Sequence, residues 1–238
     1  MTAAAPMDTA AHFTMNPSRP ARRALLSALA GAAALCGPAA HAQADAQPAW
    51  YAGVQLGASH LSGWPARVDF GSVTVDGRLA LGEGRHASLL LGRRQGAWRF
   101  ELEAQRGTLP IEQVQLGAVT QAVAADGRYR AFTANVLRVI PLAQRWNALA
   151  GLGVGMAEVS LPAIGLANGC RCFAAASDRA ATVQARLGLE WEAAGGWRVQ
   201  LAGSWLRLPG PSAASGNIAT RYERRDALTA GLGLLVHF

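Results

Sequence analysis

Apolar residues occupy every second position over one stretch of the chain. Leu228, Ala230, Leu232, Leu234, Val236 and Phe238 alternate with Ala227, Thr229, Gly231, Gly233, Leu235 and His237. A period of two puts each set on one face of a β-strand. The first set makes a continuously apolar face, which would be a sticky edge in a soluble sheet. A transmembrane β-barrel requires such a face, because its outside meets lipid. The same alternation predicts strands at residues 50–59, 85–93, 98–107, 129–140, 147–159, 182–192 and 197–208, with the last at 226–238. Each is close to the ~9–11 residues that a tilted strand needs to cross a bilayer.

The connections between these strands alternate in length. Residues 94–97 (RQGA), 141–146 (PLAQRW) and 193–196 (AAGG) are short enough for tight turns. Residues 60–84, 108–128, 160–181 and 209–225 are long. Short and long connections in strict alternation are the pattern of periplasmic turns and surface loops. The expected fold is all-β: an eight-stranded antiparallel up-and-down transmembrane β-barrel.

Side chains on the predicted strands divide by face. Trp98, Phe100, Leu102 and Ala104 alternate with Arg99, Glu101, Glu103 and Gln105. Val183, Leu187, Leu189 and Trp191 alternate with Gln184, Arg186 and Glu190, and Trp197 and Val199 with Arg198 and Gln200. An Arg facing lipid near the midplane costs about 2–4 kcal/mol, so the charged set must face inward. Eight strands enclose an interior just wide enough for side chains, and buried charges there must pair. Arg99, Glu101, Glu103, Arg186, Glu190 and Arg198 are therefore expected to form an ion-pair network filling the lumen. Gly151, Gly153 and Gly155 fall on the inward face and leave room beside them. Trp50, Trp98, Trp146, Trp191, Trp197 and Phe238 all fall at the short-turn ends, as an aromatic girdle at one membrane interface should.

The start of the chain agrees with export. Arg19, Arg22 and Arg23 precede an apolar run at residues 24–36, which Gly37 and Pro38 break before Ala40-His41-Ala42. This reads as a signal peptide over residues 1–42, with Met15 a candidate start, leaving residues 43–238 as the barrel. About 196 residues remain, room for one domain. Charged residues are 16%, and net charge is +7. The charge suits contact with anionic lipid head groups or lipopolysaccharide phosphates. Nucleic acid is not expected, because no basic cluster is interleaved with stacking aromatics.

The segments WYAGVQLGAS, WRFELEAQ, ALAGLGVG and LTAGLGLLVHF, in this order, resemble the small outer-membrane β-barrel family that includes the OmpA transmembrane domain and OmpX-type proteins. The resemblance covers nearly all of residues 50–238. It implies a monomer in the cell outer membrane whose loops mediate adhesion, envelope integrity or lipid contact. It implies no catalytic residue and no cofactor. It also implies that the outer-membrane assembly machinery reads the strand ending at Phe238. A peptidoglycan-binding module like that of the full OmpA architecture is not expected after that strand.

Two other groups carry potential chemistry. His86 and Ser88 form an H-x-S pair on one strand face, with Glu83 the nearest acid. Some small-barrel lipid A deacylases use such a set, the histidine acting as general base to the serine. The pair lies early in the chain, whereas in those enzymes it lies on a late strand, so two polar interior residues is the preferred reading. Cys170 and Cys172 (GCRC) in the third long connection are open to a local disulfide, an intermolecular bond or, with further ligands, a metal. Two cysteines alone do not make a zinc site, so a local staple is expected and no metal. The expected function is non-enzymatic, exercised through the surface loops. A lipid A-modifying enzyme and, behind it, a narrow diffusion pore are the alternatives.

Overall fold

A computed structural model of the protein describes residues 49–238 apart from Asn168 and Arg171. The expected signal segment, residues 1–42, lies outside the described residues. β1 (Ala49–His60) pairs with β4 (Gly84–Gln95), and β4 with β5 (Trp98–Leu116). The ring continues through β6 (Val119–Ala143), β7 (Trp146–Leu161), β8 (Ala176–Glu192), β9 (Trp197–Leu208) and β12 (Arg225–His237). β12 returns to β1 over ten residue pairs, from Tyr51↔His237 to His60↔Leu228. At the end of that seam Trp50 and Phe238 exchange two backbone hydrogen bonds, of 3.1 and 2.9 Å. The expected eight-stranded antiparallel barrel is the fold. Closure matters because an open edge in lipid would leave backbone groups without partners, each costing several kcal/mol.

Outside the ring the architecture departs from the expectation of four long loops. β5 and β6 run on as a paired ribbon to a two-residue turn at Gly117 and Ala118, where Gly117 takes φ 57°. The connection at residues 60–84 holds a hairpin of β2 (Trp64–Asp69) and β3 (Thr74–Leu81). That at residues 209–225 holds a second, β10 (Ser212–Ser215) and β11 (Ile218–Tyr222). The two hairpins join edge to edge, β11 to β2, and β3 pairs with the upper part of β5. The alternation that predicts the barrel strands fails here for a physical reason. The register shifts between Ile111 and Gln113, where β5 bulges against β3 and β6 carries one extra residue against β5, and the inward position moves from Ile111 to Val114.

The resulting extracellular lobe has its own core. Leu61, Trp64, Val68, Leu79, Leu109, Ile111, Val159, Leu161, Phe173, Leu206, Leu208 and Tyr222 are buried together. This core lies over the long-connection mouth of the barrel. Trp64 Nε1 donates to the Glu223 carbonyl (2.6 Å), and Arg225 donates twice to the Gly63 carbonyl (3.0 and 2.7 Å), tying the lobe to the start of β12.

The barrel wall has the reverse polarity of a soluble protein. Leu56, Leu89, Leu102, Phe132, Leu152, Leu187, Leu201 and Leu232 are exposed on its outside. Trp50, Trp98, Trp146, Trp191, Trp197 and Phe238 close this belt at the short-turn end, all exposed outward. Arg93 lies over the Trp50 ring at 5.8 Å and Arg138 over that of Trp98 at 5.0 Å, placing cations at the same interface.

Candidate functional site

The six charged residues expected in the lumen all lie on inward positions of β5, β8 and β9, and all are buried. They assemble in two groups. Toward the short-turn end, Glu190 accepts from Arg99 (2.5 Å) and from Arg198 (2.8 Å), and Arg198 also reaches Glu192 (2.9 Å). One level up, Arg186 pairs with both Glu101 and Glu103, the latter at 3.0 Å, and donates to the Gln55 side chain at 3.2 Å. The buried set holds three arginines and three glutamates, so its formal charges cancel. That matters because an unpaired ion in a low-dielectric interior costs several kcal/mol.

Neutral residues complete the network. Tyr51 Oη donates to Glu101 at 2.7 Å, and its ring faces the Arg99 guanidinium at 4.7 Å. Gln184 donates to Glu103 (3.1 Å), Thr133 to Gln184 (2.8 Å) and Asn135 to Thr133 (3.3 Å). Gln184 has the inward phase expected of it; Tyr51, Gln55, Thr133 and Asn135 were not expected in the network, although period two also gives their inward phase. Gly151, Gly153 and Gly155 sit on the inward face of β7, and a Cβ on Gly153 would run into the Asn135 amide. Glycine there makes room for the polar layer.

His86 and Ser88 point into the barrel and are buried. The His86 ring and the Ser88 hydroxyl make no hydrogen bond to each other, so the two do not form a base–nucleophile pair in this structure. Glu83 lies between β3 and β4 and is exposed, whereas His86 and Ser88 are buried. Cys170 and Cys172 are joined to each other between β7 and β8, and the Cys172 carbonyl accepts from Thr220 at 3.1 Å, which links that loop to β11. In the lobe, burial of Tyr222 pushes its phenol well above the ordinary tyrosine range. Its ring meets Trp64 edge-on at 6.4 Å.

No protein-family model matches the chain, and no curated protein matches it by sequence. Solved structures do share the fold. The crystal structure of Neisserial surface protein A (NspA) superposes with a TM-score of 0.50 at 12% identity, covering 79% of this chain and 97% of that one. The outer membrane protein AlkL, solved in lipid bilayers, gives 0.49 at 13% identity over 84% and 94%. The chain therefore has the fold of the small outer-membrane β-barrels, and its apolar belt and aromatic girdle are those of a membrane-spanning wall.

Proposed function

We propose that this protein is a non-enzymatic, non-conducting outer-membrane barrel whose working surfaces are its extracellular lobe and the upper rim of its wall. It would serve envelope integrity, adhesion or contact with lipopolysaccharide. One observation carries the reading: the interior is occupied twice over. A charge-balanced network fills the lumen, and a separate apolar core lies over the outer mouth. A charged layer and an apolar layer stacked across the interior support placing the chemistry presented to partners on the outside. Through the family resemblance, insertion would depend on assembly machinery that recognises β12 and Phe238.

The deacylase alternative gains no support from geometry. An acyl chain in the membrane meets the outside of the wall, whereas His86 and Ser88 face the lumen. The deciding experiment compares cells lacking the gene with complemented cells for envelope permeability, adhesion and lipid A mass spectra. Altered permeability or adhesion with unchanged lipid A is the expected result. Loss of one acyl chain that depends on the protein, and on His86 or Ser88, would replace this reading with the enzymatic one.

A further inference from the structure

Two rows of outward side chains cross the wall in register, one above the other. The lower runs from Leu89 through Ala104 and Phe132 to Met156, on β4 to β7. It is wholly apolar. The upper runs Arg106, Arg130, Glu158, Arg179 on β5 to β8, each residue directly opposite the next. Above it, Thr108, Arg128, Ser160 and Ser177 continue the register with polar groups. The arginine row is thus the first polar layer above the lipid belt, at the depth of outer-leaflet head groups.

The upper row is unbalanced. Arg106 and Arg130 are direct cross-strand partners, and like charges directly opposite are destabilising. Neither they nor Arg179 makes an ion pair among the described residues, although Glu158 lies between two of them. Elsewhere on the same surface Arg67 has Asp76 and Arg207 has Asp226. The wall is also dented at this place. Ala87 and Ala104, with short side chains, line a depression of about 570 Å³, together with Leu89, Phe132 and Met156 on its apolar side and Arg106, Arg130, Arg179 and the single carboxylate Glu158 on its polar side. The lower part has the apolar character of a lipid tail, and on the polar side Arg106 and Arg130 stand on adjacent strands, an arrangement in which two guanidiniums can share the oxygens of one phosphate.

We infer that this depression binds one phosphorylated outer-leaflet lipid, lipopolysaccharide, with its acyl chain on the Ala104–Phe132 row and a lipid A phosphate held between Arg106 and Arg130. The complementarity is specific in depth as well as sign: cations alone would serve any polyanion, but an apolar dent beneath them in the membrane plane serves an anionic amphiphile. The inference deepens the reading of the outer wall as a working surface, without depending on what the lobe contacts.

The test uses the folded full barrel in a zwitterionic detergent, titrated with deep-rough lipopolysaccharide and followed by native mass spectrometry. The double variant Arg106→Gln/Arg130→Gln should lower affinity by about tenfold or more, as loss of a charge-assisted bidentate contact requires. Arg207→Gln, outside the row, should leave it unchanged, and Arg106→Lys/Arg130→Lys should recover part of it. Heat-modifiable gel migration verifies that each variant is folded. Binding of the lipopolysaccharide by the double variant as tightly as by wild type would overturn the site. So would equal affinity for phosphatidylcholine, which lacks net charge, or equally tight binding of inorganic phosphate, which would make it an anion site with no lipid selectivity. None of these failures touches the closed-barrel reading, which conductance and lipid A analysis test separately.

Discussion

Arg99 reaches across the lumen from β5 to Glu190 on β8, Nη2 to Oε2 2.5 Å, with both side chains fully buried. The two strands are not neighbours in the ring, since β6 and β7 lie between them. The pair therefore braces opposite walls of the barrel. Glu190 also serves Arg198, so its charge answers two buried cations. Glu190→Gln should destabilise the barrel by about 3–5 kcal/mol, the cost of leaving buried charge uncompensated. Glu192→Gln, at a partly exposed carboxylate that meets only Arg198, should cost under about 1 kcal/mol. Equilibrium urea unfolding in lipid vesicles measures both.

Conductance should be absent, and hard to create. Wild-type protein in planar bilayers is expected to show no steady open channel. Arg186→Ala, which removes the centre of the upper ion-pair group, should also remain closed, because the apolar core over the mouth does not depend on it. Porin-sized steps from wild type would contradict the filled-lumen reading.

The lipid-facing row of β12 sets a depth test. Leu232 sits midway between Asp226 at the outer rim and Phe238 in the girdle, exposed and opposite Leu56 and Leu201. Leu232→Arg should cost about 2–4 kcal/mol, whereas Trp197→Arg at the interface should cost about 0–1 kcal/mol. The same vesicle unfolding assay separates them, and equal costs at the two depths would be inconsistent with the placement of the belt.

Gly107 is held to glycine by its neighbour. The Tyr129 ring from β6 lies over it across a direct cross-strand pair, where an added Cβ would enter the ring. Gly107→Val should destabilise by about 1–3 kcal/mol through overpacking. The double variant with Tyr129→Ala should recover part of that loss, because the two residues share one contact. Additive costs would mean that the ring and the glycine are independent.

Tyr222 gives the lobe an alkaline limit. Its phenol is raised in the folded state, so the neutral form is favoured there, and its contribution is fully present below the unfolded tyrosine value of about 10. That contribution declines as pH rises above this value toward the folded one. Near-ultraviolet circular dichroism should show loss of lobe order in this window for wild type, and less loss for Tyr222→Phe.

The barrel was legible in the sequence because lipid enforces a rule that is local. Each spanning strand must turn one apolar face outward and bring its charges inward, so a period of two, read strand by strand, yields strand number, facing and girdle. Arg99, Glu101, Glu103, Arg186, Glu190 and Arg198 could be grouped as inward on that ground alone. Which partners meet could not be read, since the Arg99–Glu190 and Arg186–Glu101 contacts depend on ring closure and strand register. The lobe was not legible at all. Outside the membrane the rule lapses: the bulge at Ile111 to Gln113 breaks the phase, and the two hairpins gain stability only by joining each other and the top of β5. The arginine row is the same case. Arg106, Arg130 and Arg179 are scattered along the chain, and only the register of four strands sets them side by side above an apolar dent. Sequence determined what faces lipid, because that is decided residue by residue; tertiary structure decided what stands beside what, because that is decided between strands.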